Sequence, residues 1–159
     1  LGVCADAVII TPPVEEGNIS EFASIVKALH HMIHFTGTVN IDLADIRNIA
    51  GFGNIGMMGV GSAAGRERLR KATRRAISNP MLDIDLSGIE RAIVSVYGGE
   101  DMTIGEAESA SYYISKRIKE GAKIIWGAYV SPRFNNNLYV VLLVGLTPNQ
   151  ALLHHYAET

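Results

Sequence analysis

Three polar residues stand out in the stretch Gly37 to Arg47, which reads Gly-Thr-Val-Asn-Ile-Asp-Leu-Ala-Asp-Ile-Arg: Asn40, Asp42 and Asp45. On a helix beginning near Asp42, residues three apart share a face, so both carboxylates point the same way at its N-terminus. Carboxylates so placed have two uses. Asp is a favoured N-cap, an acid at the third helical position completes a capping box, and both suit the positive end of the helix dipole. A carboxylate can also orient a water molecule and accept its proton. On spacing alone the capping reading is the stronger, and it leaves Asn40 unexplained.

Three other groups of residues invite a chemical reading. His30 and His34 are four apart on one helix and could grip a metal, but they fall at the edge of its apolar stripe, with no Cys, Asp or Glu nearby to complete a ligand set. Gly59, Gly61 and Gly65 imitate a dinucleotide-binding turn that would take NAD(P). That fingerprint needs an acid at the end of the second strand, whereas Asp83 and Asp85 lie before the next one. The plainer alternative is a strand that passes close to another backbone. Arg66, Arg68, Arg70, Lys71, Arg74 and Arg75 crowd one helix, yet they spread around most of its wheel without interleaved aromatics, which reads as a solvated face and not a nucleic-acid site.

The elements that carry these residues follow from periodicity. Ala5 to Thr11 is a buried strand stopped by Pro12-Pro13, and Ile19 to Phe35 a helix, capped by Asn18, with Phe22, Ile25, Val26, Leu29, Met32 and Ile33 on one face. Leu43 to Ala50 is a short helix closed by Gly51 and Gly53. Asn54 to Ser62 is a strand, Arg66 to Ser78 a helix burying Leu69, Ala72 and Ala76, and Arg91 to Tyr97 a central strand. Thr103 and Glu106 form a capping box for a helix that runs to Glu120 and buries Ile104, Ala107, Ala110 or Ser111, Ile114 and Ile118. Ala122 to Val130 and Leu138 to Gly145 read as a hairpin. The order predicts an α+β fold, a mixed sheet of about four strands packed by helices.

Bulk properties narrow the function class. The 159 residues are 48% apolar and 19% charged, which suits one globular domain with a sizeable core. A formal charge of -2 gives no overall attraction to nucleic acid or an anionic membrane. One cysteine, Cys4, excludes an internal disulfide and suits a reducing compartment, and no apolar run approaches the ~18 residues of a membrane span. A cytoplasmic location is expected.

Several motifs in one order resemble the second domain of the FtsZ/tubulin superfamily, particularly FtsZ. Asn40-x-Asp42-x-x-Asp45 is similar to its catalytic loop. Met57-Met58-Gly59-Val60-Gly61 with Gly65 resembles the strand that follows, Ala76 to Gly88 the segment leading to the next strand, and Gly98 to Thr103 the turn after it. The resemblance implies residues 1–36 as a leftover strand of an N-terminal GTP-binding domain and a shortened central helix, 37–146 as the C-terminal domain, and 147–159 as a short tail without the family's long linker. The sheet partners of the leftover strand would lie outside the chain, which opens at Leu1 as if cut in mid-fold. It further implies subunits that stack head to tail, with Asp42 and Asp45 assisting hydrolysis of GTP, accompanied by Mg2+, on the next subunit, Asn40 helping, and cell-division adaptor proteins as partners. No Gly-Gly-Gly-Thr-Gly phosphate loop is present, so this piece alone is expected to be inactive, and no guanine-contact residue is carried over. A GTPase-inactive assembly module is the alternative within the family.

Overall fold

The computed structural model describes residues 8–12, 14–17, 19–50 and 55–150. Five strands form one mixed sheet in the order β1-β2-β5-β3-β4, where β1 is Val8–Ile9, β2 Ile55–Ala64, β3 Arg91–Gly98, β4 Lys123–Val130 and β5 Asn137–Gly145. Strand β5 runs antiparallel to both β2 and β3, while β1 and β4 run parallel to their neighbours.

The expected hairpin of the last two strands does not form. β5 lies between β2 and β3, and β4 takes the outer edge beyond β3. Burial explains the choice: β5 is buried on both faces from Val140 to Gly145, whereas β4 begins with exposed Lys123 and half-buried Ile124 and Ile125. A strand apolar on both sides takes the centre. The connection steps over the end of β3, where the Ser131 amide donates to the Gly98 carbonyl and a single 3-10 turn, Pro132–Phe134, redirects the chain.

The sheet has one strand more than the sequence suggests. Val8 and Ile9 pair with Ile55 and Gly56, and the Ile10 amide donates to the Gly56 carbonyl, so these residues find a partner within the chain. Residues 5–7 and the proposed cap Asn18 lie outside the described residues.

Alternation along the strands divides the core in two. On one face Met57, Val94, Val96 and Leu142 meet α3 (Arg68–Ile77) and α4 (Ile104–Ser115). On the other, Met58, Ile93, Tyr97, Val141 and Leu143 meet α1 (Ile19–His34) and α2 (Leu43–Ala50). Helix α1 buries Ile25, Ala28 and Met32 but exposes Ile19, Val26 and Ile33. Those three are spaced by seven and make an outward apolar stripe.

The Thr103–Glu106 capping box forms in both directions. Ile104, expected inside, is 55% exposed, because at the first helical position it faces outward from the face that buries Ala107, Ala110 and Ile114. The helix ends at Ser115, short of Glu120. Arg68 is another departure, since it is not part of a solvated face: its guanidinium reaches both Glu106 oxygens at 3.0 Å and also pairs with Asp101, tying the starts of α3 and α4 together.

Candidate functional site

Asn40, Asp42 and Asp45 sit on one short path from loop into helix. The chain turns at Gly37, whose amide donates to Asn40 Oδ1 at 2.6 Å. Val39 then forms an antiparallel bridge with Ala128, exchanging both backbone hydrogen bonds at 3.0 and 3.2 Å, which covers part of the open edge of β4. Ile41 dives inward to 5% exposure against Gly127, where any Cβ would approach its side chain to 2.8 Å. Helix α2 begins at once: the Ile46 amide donates to the Asp42 carbonyl.

The two carboxylates form a reciprocal capping box. Asp42 Oδ1 accepts the Asp45 amide at 2.7 Å, and Asp45 Oδ2 accepts the Asp42 amide at 3.1 Å. The capping reading is therefore correct as geometry. It does not exhaust the side chains, because the box uses one oxygen of each carboxylate. Asn40 and Asp42 are exposed and Asp45 half-buried. The arrangement presents two acids and an amide to solvent on a backbone fixed at Gly37, Val39 and Ile41. Such a surface can orient water or hold a cation's hydration shell, and it repels an unaccompanied polyanion.

Tyr129 was not legible as part of this site. Its hydroxyl accepts the Ile41 amide at 3.3 Å across 88 residues of sequence. Burial raises its pKa, the Ile41 amide works against that rise, and the Asp45 charge adds to it. Tyr97 stacks on Tyr129 at 4.7 Å and 12°, a consequence of their being paired residues on parallel strands. The only local signal is Gly127, two residues earlier on the same face of the strand, which leaves the notch that Ile41 fills.

The other sequence candidates resolve differently. Gly59 and Gly61 lie in the middle of β2, where a Cβ would come within 2.2 Å of the Ala76 carbonyl oxygen and 2.1 Å of the Ala72 oxygen. They let α3 pack onto the sheet, and no phosphate-binding turn exists there. The dinucleotide reading falls with them. Of the three, only Gly65 has a positive φ, 71°, in the turn before α3. His30 and His34 stack ring on ring at 4.4 Å, and the described residues contain no group of three or more metal-binding side chains. A cavity of about 640 Å3 opens between α1 and the sheet, lined by Glu21, Lys27, His31, Arg75, Asn79 and Tyr139 among others, but Asn40, Asp42 and Asp45 do not border it.

The comparisons with known proteins agree with one another. The family model described as FtsZ family, C-terminal domain, matches residues 54–147. This chain belongs to the FtsZ family. It is similar to cell division protein FtsZ 1 of Archaeoglobus fulgidus, 38% identical over 119 residues that make up 75% of this chain and 32% of that protein. The corresponding protein of Methanocaldococcus jannaschii is 34% identical over 75% of this chain and 33% of its own length. The chain thus spans about a third of the curated FtsZ relatives it matches. Among solved structures, an empty FtsZ dimer of M. jannaschii superposes with a TM-score of 0.75 at 27% identity, covering 91% of this chain and 46% of that one. CetZ1 of Haloferax volcanii, a GDP-bound monomer, shares the fold at a TM-score of 0.61 and 20% identity, covering 89% and 42%. Among the described residues no helix is long and apolar enough to cross a membrane.

Proposed function

We propose that this domain is the activating half of a GTPase site shared between subunits: within a longer FtsZ protein it brings Asn40, Asp42 and Asp45 to the GTP held by the next subunit of a head-to-tail filament. The observation that carries the reading is the solvent-facing Asn40-x-Asp42-x-x-Asp45 loop, braced against β4, in a chain of the FtsZ family. Hydrolysis of a phosphoanhydride depends mainly on positioning and charge stabilisation. Asp45 and Asp42 orient the attacking water and accept its proton, and Asn40 braces the loop through Gly37.

The described residues do not fit a complete nucleotide site. Their positive-φ glycines, Gly65 and Gly121, are isolated, and the acidic loop would repel a triphosphate unless Mg2+ lay between. The nucleotide is therefore held mainly by an N-terminal domain. In this division residues 1–36 belong to that domain's last strand, which here pairs with β2, and to the central helix, 37–146 to the C-terminal domain, and 147–159 to a tail. The outward stripe Ile19, Val26 and Ile33 on α1 supports it, being an apolar surface suited to an apposed domain. Head-to-tail contact is heterologous and builds filaments, which would work with cell-division adaptor proteins in the cytoplasm.

In the whole protein, Asp45→Ala should leave GTP binding nearly intact and lower turnover by ~10²- to 10⁴-fold; unchanged turnover would sink the reading. The reciprocal capping box favours a second reading, a GTPase-inactive assembly module in which both acids serve only the helix. It requires filaments without turnover.

A further inference from the structure

We propose that Tyr129 is a positioning residue for GTP hydrolysis, clamping the acidic loop at two points so that Asn40, Asp42 and Asp45 reach the neighbouring nucleotide in register. The proposal rests on the reading of the shared site above. The first clamp is the ring. Gly37 lies so close over it that a Cβ would sit 2.5 Å from Cδ1 and 2.4 Å from the Ala128 carbonyl oxygen, so the chain begins its turn pressed onto β4. The second is the hydroxyl, which accepts the Ile41 amide. Between these points lies Asn40, and Asp42 follows the second at once. Tyr129 touches no reacting atom and acts through the backbone.

The clamp has a rigid backing. Tyr129 is 3% and Ile41 5% exposed, so the Ile41 amide has little access to water and depends on the phenol for its hydrogen bond. Tyr97 stacks behind Tyr129, and His31 and Phe134 meet Tyr97 with ring centroids 5.9 and 5.8 Å away. The aromatic row joins the end of α1 to the loop that α1 precedes, giving the loop one defined height above the sheet. Displacing a reacting group by about 1 Å can cost ~10²-fold in rate, so a hydroxyl that sets the height of two carboxylates has leverage beyond its own bond.

The test is Tyr129→Phe in the whole protein, with Asp45→Ala beside it. Four quantities are measured: GTP affinity, threshold concentration for assembly, turnover per assembled subunit, and hydrogen exchange of the Ile41 amide. The ring and its stacking survive in Tyr129→Phe, so affinity and threshold should be unchanged, turnover should fall about tenfold, and the Ile41 amide should exchange faster. Tyr129→Met, which also removes the ring beneath Gly37, should lower turnover further. Wild-type turnover in Tyr129→Phe while Asp45→Ala is dead overturns the role of Tyr129 and leaves the shared site standing. A drop in turnover matched by weaker GTP binding, a raised threshold or a lost thermal transition also overturns it, since the hydroxyl would then serve the fold or the polymer. Wild-type turnover in Asp45→Ala removes the shared site and this proposal with it.

Discussion

The acidic loop and the glycine strand β2 are each motifs of small and polar residues that invite a chemical reading, and they meet opposite fates. In the loop, backbone groups are consumed by β4 and by the capping box, which leaves side chains facing solvent. In β2, side chains are absent so that α3 can press its backbone onto the strand at Gly59 and Gly61. Even the strand's outer carbonyls are taken from that side: Arg75 of α3 donates to Ser62 O, and Asn79, just past the helix end, donates through Nδ2 to Val60 O at 2.7 Å. The glycine beside the exposed carboxylates turns a loop whose side chains stay in solvent. A glycine facing a helix marks packing.

The contrast has measurable consequences. The largest is in the loop: Asp45→Ala should abolish most turnover yet cost only about 1 kcal/mol of stability, the ordinary loss for a cap. A urea melt beside the turnover assay separates the two. The strand should behave in the opposite way. Gly61→Ala forces a Cβ against the Ala72 carbonyl and should destabilise the domain by about 3 kcal/mol or more, read from the same melt. A fully stable Gly61→Ala variant would mean that α3 does not pack as described.

Between these extremes stands Arg68, which holds α3 to α4 and so supports the strand side. Its side chain is 12% exposed against 28% for Glu106, and Arg68→Ala should cost about 2 kcal/mol, less than a fully buried pair because Asp101 is open to water. Hydrogen bonding from Arg68 holds the Glu106 carboxyl below its usual range. That stabilisation is present above the unfolded value of 4.5 and is lost as pH falls through the folded one. A melt at pH 7 and at pH 4 should therefore differ less in Arg68→Ala than in the parent.

The smallest effect concerns His31, beneath the loop's aromatic row. Burial lowers its pKa below 6.5, with His30 and Arg133 adding repulsion. Because the folded value is depressed, its contribution is present above about pH 6.5 and declines on acidification. His31→Phe should reduce the drop in melting temperature between pH 7.5 and 5.5; an identical drop would exclude His31 as its source.

What could be read from the sequence was local. The Thr103–Glu106 box, the buried face of α3 and the pairing of Asp42 with Asp45 each depend on residues three or four apart, and all three formed. Spacing joined only Asp42 and Asp45; Asn40 was added to them by the resemblance to the FtsZ catalytic loop. The rest depended on distant partners. The insertion of β5 between β2 and β3 is decided by which strand is apolar on both faces, and two adjacent strands joined by a turn look like a hairpin without that comparison. Tyr129 belongs to the loop only because Tyr97 and β4 bring it there. Arg68 looked like one of six solvated cations until α4 and the turn before it supplied Glu106 and Asp101.

If this domain completes a site on another subunit, turnover must depend on assembly and on the two acids together. The most direct measurement is GTP turnover per molecule of the whole protein across a concentration series, with Asp42→Ala and Asp45→Ala beside it. Turnover should rise steeply above a threshold concentration and disappear in both variants while they still bind GTP. Turnover that is absent, or that is independent of concentration and indifferent to both substitutions, would contradict it and leave the two acids as helix caps.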